Sequence, residues 1–453
     1  MISLLKSLSS AAFFSGDRIV ARNLHYSGIG IDSLLKILLE RKLTMNKQKL
    51  SPRTFLCLMT VFLICLPSLS FGSGFGIFTQ GASSLGQGAA VVAHNDSPDA
   101  IFYNPALING LPGTQVEVGT TLIFADRKYK SASSTGKAAE TEDDVFYPST
   151  FYLTHALNES VSLGLGVFNP FGLATTWPDD WDGKYIATKS ELTTFNINPV
   201  VSWRVIPQFT VAVGLDFVLL DSTLESKFPA GGSDGHTKFE GDGHGLGFNF
   251  GFLMKPTDTL SIGISYRSKV KVDVNGDISQ SAPAIPYHYH ASGSTSITLP
   301  QQVFAGIAYK PTDKLVMEMG IRWEDWSSFD ELNVKYDGQS ATTLRDWRST
   351  FAFNVGGKYR INDRYAVSAG YLYGQNPIPD STFDPSIPDS DVHLFCIGGE
   401  AQFGNFGATL SYAYQLQEDR TKTSNNSDRF GETANGEYDS DIHLLALSLR
   451  YKF

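Results

Sequence analysis

Three stretches carry residue types that can do chemistry. "YHYH" sets His288 and His290 two apart, and two histidines without a third ligand leave a metal set incomplete. "GDGHGLG" (241–247) is glycine-rich but lacks the spacing and the strand-to-helix context of a phosphate-binding loop. Asp384, Asp389 and Asp391 could hold a divalent cation, although a solvated loop is their expected setting. A lipid hydrolase would need Ser, His and an orienting acid. The sequence has no G-x-S-x-G elbow, and His155, His393 and His443 have no recognisable partner motif. No catalytic residue, metal site or cofactor is expected, and the chain is not read as an enzyme.

The bulk numbers argue against a nucleic-acid partner. The chain has 453 residues, a net charge of -10, 12% aromatic and only 18% charged residues, where globular chains carry roughly a quarter charged. An acidic chain without a Lys/Arg run is a poor nucleic-acid binder, so no nucleic-acid partner is expected.

The N-terminal region reads as a targeting segment. Lys47, Lys49 and Arg53 precede the apolar run "TFLCLMTVFLICL" (54–66), and Ser70 and Gly72 are small residues placed for cleavage after Gly72. The run is short for a bilayer-spanning helix, which needs roughly 20 apolar residues, and its order is that of a signal peptide, residues 45–72. A lipoprotein signal ending at Cys65 is the rival, with the bulky Ile64 before that cysteine against it. Residues 1–44 then read as an extra leader ahead of Met45. Only Cys396 remains after cleavage, so no internal disulfide is expected.

From residue 114 onward the hydrophobic period is two. In "FTVAVGLDF", Phe209, Val211, Val213, Leu215 and Phe217 alternate with Thr210, Ala212, Gly214 and Asp216; the last segment sets Leu445, Leu447, Leu449, Tyr451 and Phe453 against Ala446, Ser448, Arg450 and Lys452. A soluble sandwich would bury the apolar face in a core; a transmembrane barrel would turn it to lipid. Strands of about ten residues, aromatics at strand ends and the terminal Phe453 favour the barrel. Trp323 and Trp326 are expected in such an aromatic girdle. Short turns at 157–160, 205–208, 255–259, 310–314, 361–364 and 403–407 alternate with long polar stretches near 131–144, 177–188, 228–241, 279–291, 336–346, 376–391 and 419–438. The expected fold is an all-β antiparallel barrel of about fourteen strands over residues 114–453. Residues 73–113 lack the alternation. They hold a short helix start, with Ser97 as N-cap and Pro98 at the first helical position, and are the right size to plug a lumen too wide for side chains to fill.

"SGFGIF…SSLGQGAA…NDSPDAIFYNPALI" resembles the N-terminal hatch of the FadL-type outer-membrane transporters. That family carries long-chain fatty acids and includes relatives that take up aromatic hydrocarbons. "VFNPFGLATTW" (167–177), "ITLP" (297–300), "WEDWSSFDEL" (323–332) and "PIPDSTFDPSIPDSD" (377–391) follow in the family's order. The resemblance implies a bacterial outer-membrane protein that captures a hydrophobic molecule at its outer loops, binds it in the lumen and releases it sideways through a gap in the wall. It implies a kink in the third strand at Phe168, Asn169, Pro170, Phe171 and Gly172, because proline gives the ladder no N–H. That kink is expected to face Asn104, Pro105 and Ala106 of the hatch. Phe75 is the expected gate at the hatch's front end. Lys227, Arg345 and Arg348 are the candidates to meet a carboxylate head group. Lipopolysaccharide and the outer-membrane assembly machinery are the implied partners, and a monomer is expected. An aromatic-hydrocarbon channel, a lipid-modifying enzyme and a general porin are the alternatives.

Overall fold

The computed structural model describes residues 74–453 apart from 143–144, 284, 425–429 and 432. The expected leader (1–44) and signal peptide (45–72) lie outside the described residues.

The period-two pattern becomes one closed antiparallel sheet. Its first strands are β1 (Thr114–Ser131), β2 (Ser149–Ala156), β3 (Val161–Phe168, resuming at Gly172–Thr176), β4 (Lys189–Ile206), β5 (Phe209–Ala230) and β6 (Ser233–Thr257). Four strands in two ladder segments follow: β7 (Leu260–Arg267, Val270–Ala282), β8 (Tyr287–Leu299, Gln302–Thr312), β9 (Leu315–Glu324, Glu331–Tyr336) and β10 (Gln339–Leu344, Thr350–Arg360). The last are β11 (Tyr365–Gly374), β12 (Val392–Phe403), β13 (Phe406–Gln417) and β14 (Gly436–Lys452). Each strand pairs with the next, and β1 closes on β14 from Gln115 opposite Lys452 to Ser131 opposite Gly436. Among the described residues this makes fourteen strands. Closure leaves the sheet no free edge, the condition for a β-structure that meets lipid.

The apolar face points outward. On β14, Leu445, Leu447 and Leu449 are exposed while Leu444, Ala446 and Ser448 are buried toward the lumen. Three of the stretches read as long connections are instead strand. Residues 228–241 belong to the β5–β6 hairpin, 279–291 largely to β7 and β8, and 336–346 to the β9–β10 hairpin. Gly231 (φ 61) with Gly232 (φ 92), and Asp337 (φ 45) with Gly338 (φ 71), take the left-handed conformation that two-residue hairpin turns require. The strands therefore run on past the point where both faces turn polar. His288 and His290 thus sit on β8, exposed, rather than in a loop, and "GDGHGLG" is part of β6.

Residues 74–113 fill the end of the lumen nearer the short turns. They form α1 (Ala82–Leu85), α2 (Ala100–Tyr103) and a 3-10 turn (Pro105–Gly110), all but uniformly buried. Helix α2 begins two residues later than expected, with Asp99 at its N-cap. The Ser97 hydroxyl donates to the buried Glu117 carboxylate at 2.5 Å instead of capping. Pro105 ends α2, and Asn104 caps the 3-10 turn by accepting the Ala106 N–H at 3.1 Å.

The hatch is held by apolar packing and by buried polar ties. Phe102 packs edge-on against Phe168 of β3 and Phe304 of β8, at centroid distances of 5.3 and 5.7 Å. Burying one such ring stabilises by about 1.5–3 kcal/mol. Arg267, paired with Asp216, lies over the Phe102 and Phe168 rings at 5.3 Å from each. Lumen-facing glycines admit the hatch backbone. A Cβ on Gly251 would lie 2.5 Å from Asn104 Oδ1 and 2.7 Å from Ala106 N. Glu318 of β9 accepts the Val92, Ala93 and His94 N–H groups at 2.5, 2.9 and 2.9 Å. Lys358 of β10 reaches Asp96 of the hatch and Glu400 of β12, each at 2.6 Å.

Candidate functional site

Above the hatch the lumen wall becomes apolar. Val218 and Leu220 of β5, Val272 and Val274 of β7, and Ile297 and Leu299 of β8 are all buried and inward. A water-filled porin would need polar groups here.

Rings from four separate parts of the chain meet at this level. Phe75, the second described residue of the hatch, lies 4.6 Å from Trp326, 5.7 Å from Trp347, 5.9 Å from Phe329 and 6.1 Å from Phe171, centroid to centroid. Trp326 and Phe329 come from the segment between the two ladders of β9, Trp347 from between those of β10. Trp326 is wholly buried, which removes it from the girdle in which it was expected. The short helical turn Trp326–Ser328 draws its ring into the lumen. A second aromatic group lies in the same apolar core. It contains Trp177 stacked on Trp181 at 4.5 Å, with Tyr129, Tyr438 and Phe383 around them.

The ladder of β3 is interrupted between Phe168 and Gly172, where Pro170 has no N–H to give. Pairing with β2 ends at Phe151 opposite Val167. Asn169 covers the break: its Oδ1 accepts the Ser149 N–H at 3.1 Å and its Nδ2 donates to Thr194 O at 2.6 Å. The hatch supplies the missing strand. Gly172 N–H donates to Phe75 O at 2.9 Å and Ile77 N–H to Pro170 O at 3.0 Å, making a one-residue bridge of Gly76 with Phe171.

This corrects the expected partner of the break. Asn104, Pro105 and Ala106 do not face it. The Asn104 amide donates to Val92 O at 2.8 Å and to Phe252 O on β6 at 3.0 Å, and the Ala106 carbonyl accepts from Ser202 of β4 at 3.2 Å. Asn104 is fully occupied by this role, which turns the motif toward β4 and β6. A second interruption, which the sequence reading missed, lies between β8 and β9. Their ladder holds at Gln302 opposite Glu324 and again at Ser294 opposite Lys335, with no residue pair between.

The three expected cations do not converge on the ring cluster. Lys227 pairs with Asp179 at 2.8 Å. Arg345 is buried, its guanidinium 5.9 Å from the Phe329 centroid, but it is already paired with Asp384. Arg348 is exposed, its backbone N–H donating to Pro377 O. The acidic loop 375–391 is buried rather than solvated because it folds inward as a lid of its own. Asp384 meets Arg345, Asp389 accepts the Gly74 N–H at 2.7 Å, and Asp391 accepts the Tyr373 hydroxyl at 2.9 Å. Burial pushes Asp389 up to about 7 and Asp391 up to about 8, against the pull of Arg420 on both.

Residues 63–453 match the family described as outer membrane protein transport protein (OMPP1/FadL/TodX). The chain belongs to this family. As a FadL/TodX-family member it is an outer-membrane β-barrel transporter of hydrophobic compounds, so the short turns face the periplasm and the apolar strand faces meet lipid. It is 22% identical to outer membrane protein P1 of Haemophilus influenzae, over 84% of this chain and 93% of that protein. The crystal structure of a Pseudomonas aeruginosa FadL homologue shares its fold with TM-score 0.77 at 22% identity, covering 84% of this chain and all of that one. The Pseudomonas putida toluene transporter TodX follows with TM-score 0.70 at 19% identity, over 84% and 99% of the two chains.

Proposed function

We propose that this protein takes up long-chain fatty acids or related hydrophobic compounds across the outer membrane, without energy input at the barrel. Cargo is captured at the outer loops, passes to the ring cluster around Phe75, and leaves sideways into lipid at the break in β3. The observation that carries this reading is the stopper geometry. The one place where β3 lacks its own ladder, Asn169–Phe171, is closed by hatch residues Phe75–Ile77 through two backbone hydrogen bonds. Opening it breaks these two bonds, each worth about 1 kcal/mol net, together with the bond from Gln80 Nε2 to Asn169 O at 2.7 Å and the packing of the Phe75 ring. Asn104, Pro105 and Ala106 serve as the anchor of the hatch on β4 and β6. Lipopolysaccharide around the outer loops, assembly machinery reading the strand that ends at Phe453, and action as a single barrel belong to the same reading.

A second reading takes aromatic hydrocarbons as cargo. It is favoured by the pairing of Lys227 with Asp179 and of Arg345 with Asp384, which leaves neither cation free for a carboxylate. The test is uptake of labelled oleate and of labelled toluene in cells lacking this protein, with and without it restored. Restoration of either identifies the cargo class. Passage of small sugars with neither hydrophobic compound sinks the transporter reading.

A further inference from the structure

We infer that Trp326 and Trp347 form a hydrogen-bonding subsite for an oxygen atom of the cargo, so that the inner ring cluster selects oxygen-bearing hydrophobic molecules over bare hydrocarbons. The inference rests on the transport reading above and adds a selectivity to it. Both indoles are buried, Trp326 at 0% and Trp347 at 3% exposure. Both Nε1–H groups lack an acceptor. An indole nitrogen is a donor only, and a buried tryptophan N–H ordinarily finds a partner. The other deeply buried pair follows that rule: Trp177 Nε1 donates to Pro385 O and Trp181 Nε1 to Ala187 O, both at 3.0 Å. Two orphaned donors in adjacent rings, 5.2 Å apart, are therefore a local departure within one protein.

Their surroundings point to a ligand. The rings touching them, Phe75 and Phe329, offer no acceptor oxygen on their side chains, and the neighbouring carboxylates are engaged elsewhere, Asp384 by Arg345 and Asp389 by the Gly74 N–H. Gly74 packs directly on the two indoles: a Cβ there would lie 2.9 Å from Trp347 and 3.1 Å from Trp326 Cε2, the carbon bonded to its indole nitrogen, so glycine alone leaves the rings in place beside these donors. An acceptor oxygen on a hydrophobic body would satisfy these donors, whereas toluene would leave them unpaired. Such a site rejects the analogue that lacks the oxygen, because its own donors then stay buried and unpaired.

The test compares two ligands that differ by one oxygen. Toluene and p-cresol are titrated calorimetrically into purified full-length protein in a non-ionic detergent, wild type beside Trp326→Phe/Trp347→Phe, which keeps aromatic rings and deletes both N–H groups. Wild type is expected to prefer p-cresol by about tenfold, the worth of one good buried hydrogen bond. In the double variant the preference falls to near unity, because p-cresol loses more affinity than toluene does. Decanoate and decanol, titrated alongside, show whether the favoured oxygen is a carboxylate or a neutral hydroxyl. No p-cresol preference in wild type overturns the inference, as does a preference that survives in the double variant. Equal losses for both ligands with the ratio retained also overturn it, assigning the rings to packing alone. Failure of oleate and toluene uptake in cells would sink the transport reading, a result separate from this ratio.

Discussion

Glu318 of β9 holds the hatch at His94: one carboxylate oxygen accepts both the His94 backbone N–H and faces His94 Nδ1, each at 2.9 Å. With Val92 and Ala93 donating to the same group, one wall side chain fixes three consecutive hatch residues. Glu318→Gln keeps one carbonyl oxygen but loses the charge that strengthens these bonds. The expected cost to the hatch is about 2–4 kcal/mol, seen as faster hydrogen exchange at residues 92–94. The barrel should keep its heat-resistant migration in gels. Unchanged exchange would mean that packing holds this segment without Glu318.

Asn104 is bound to Val92, Phe252 and Ala106 at once. Asn104→Ala with Pro105→Ala should free the 3-10 turn from β6, leave two buried carbonyls short of a donor, and cost about 2–4 kcal/mol of local stability. Uptake should drop while barrel heat-stability persists. Uptake at the wild-type rate would remove this motif from the transport mechanism.

Phe75→Ala deletes the ring that joins the β3 break to the inward segments of β9 and β10. Truncating a buried phenylalanine costs about 3–5 kcal/mol, here spent on the front of the hatch. The expected outcome is faster entry of a hydrophobic fluorescent dye into cells even without cargo, largely reversed in Phe75→Leu. Dye entry equal to wild type would assign Phe75 to packing and deny it a gating role.

Asp389 ties the inward loop to the hatch through Gly74. Burial raises its folded pKa to about 7, and that of Asp391 to about 8, while Arg420 and Arg127 oppose the shift at Asp389. A carboxyl raised above its unfolded value binds more protons folded than unfolded, so its stabilising share is present at low pH and is lost as pH rises toward the folded value. Protection of residues 376–391 from hydrogen exchange, corrected for intrinsic rate, should therefore fall between about pH 5 and pH 8. Asp389→Asn should flatten that profile. A profile that rises with pH in the wild type would contradict the burial argument.

The barrel was legible because its cause is local. Residues two apart share a face, so Leu445, Leu447 and Leu449 announce an outward apolar stripe without knowledge of any neighbour. The strand number followed from turns such as "KPTDT" and "KPTDK". The break at Pro170 followed from the chemistry of one residue. Gly231-Gly232 and Asp337-Gly338 also carried a readable hairpin signal, hidden because the flanking strands turn polar on both faces beyond the lipid.

What the sequence determined by itself, then, was a closed sheet, its inside and outside, a non-alternating segment to fill it, and a proline that interrupts the third strand. Only the tertiary structure decided what meets that interruption. Phe75, Phe171, Trp326 and Trp347 come together across some 270 residues of chain, and Asp384 finds Arg345 across 39. Such meetings depend on how far each strand is staggered around a closed barrel and on which side of the lumen the hatch lies. Neither quantity is written in local periodicity. For the same physical reason Asn104-Pro105 looked like a lining of the break and proved to be an anchor on β6, while Trp326, which looked like part of a membrane girdle, turned its indole into the lumen.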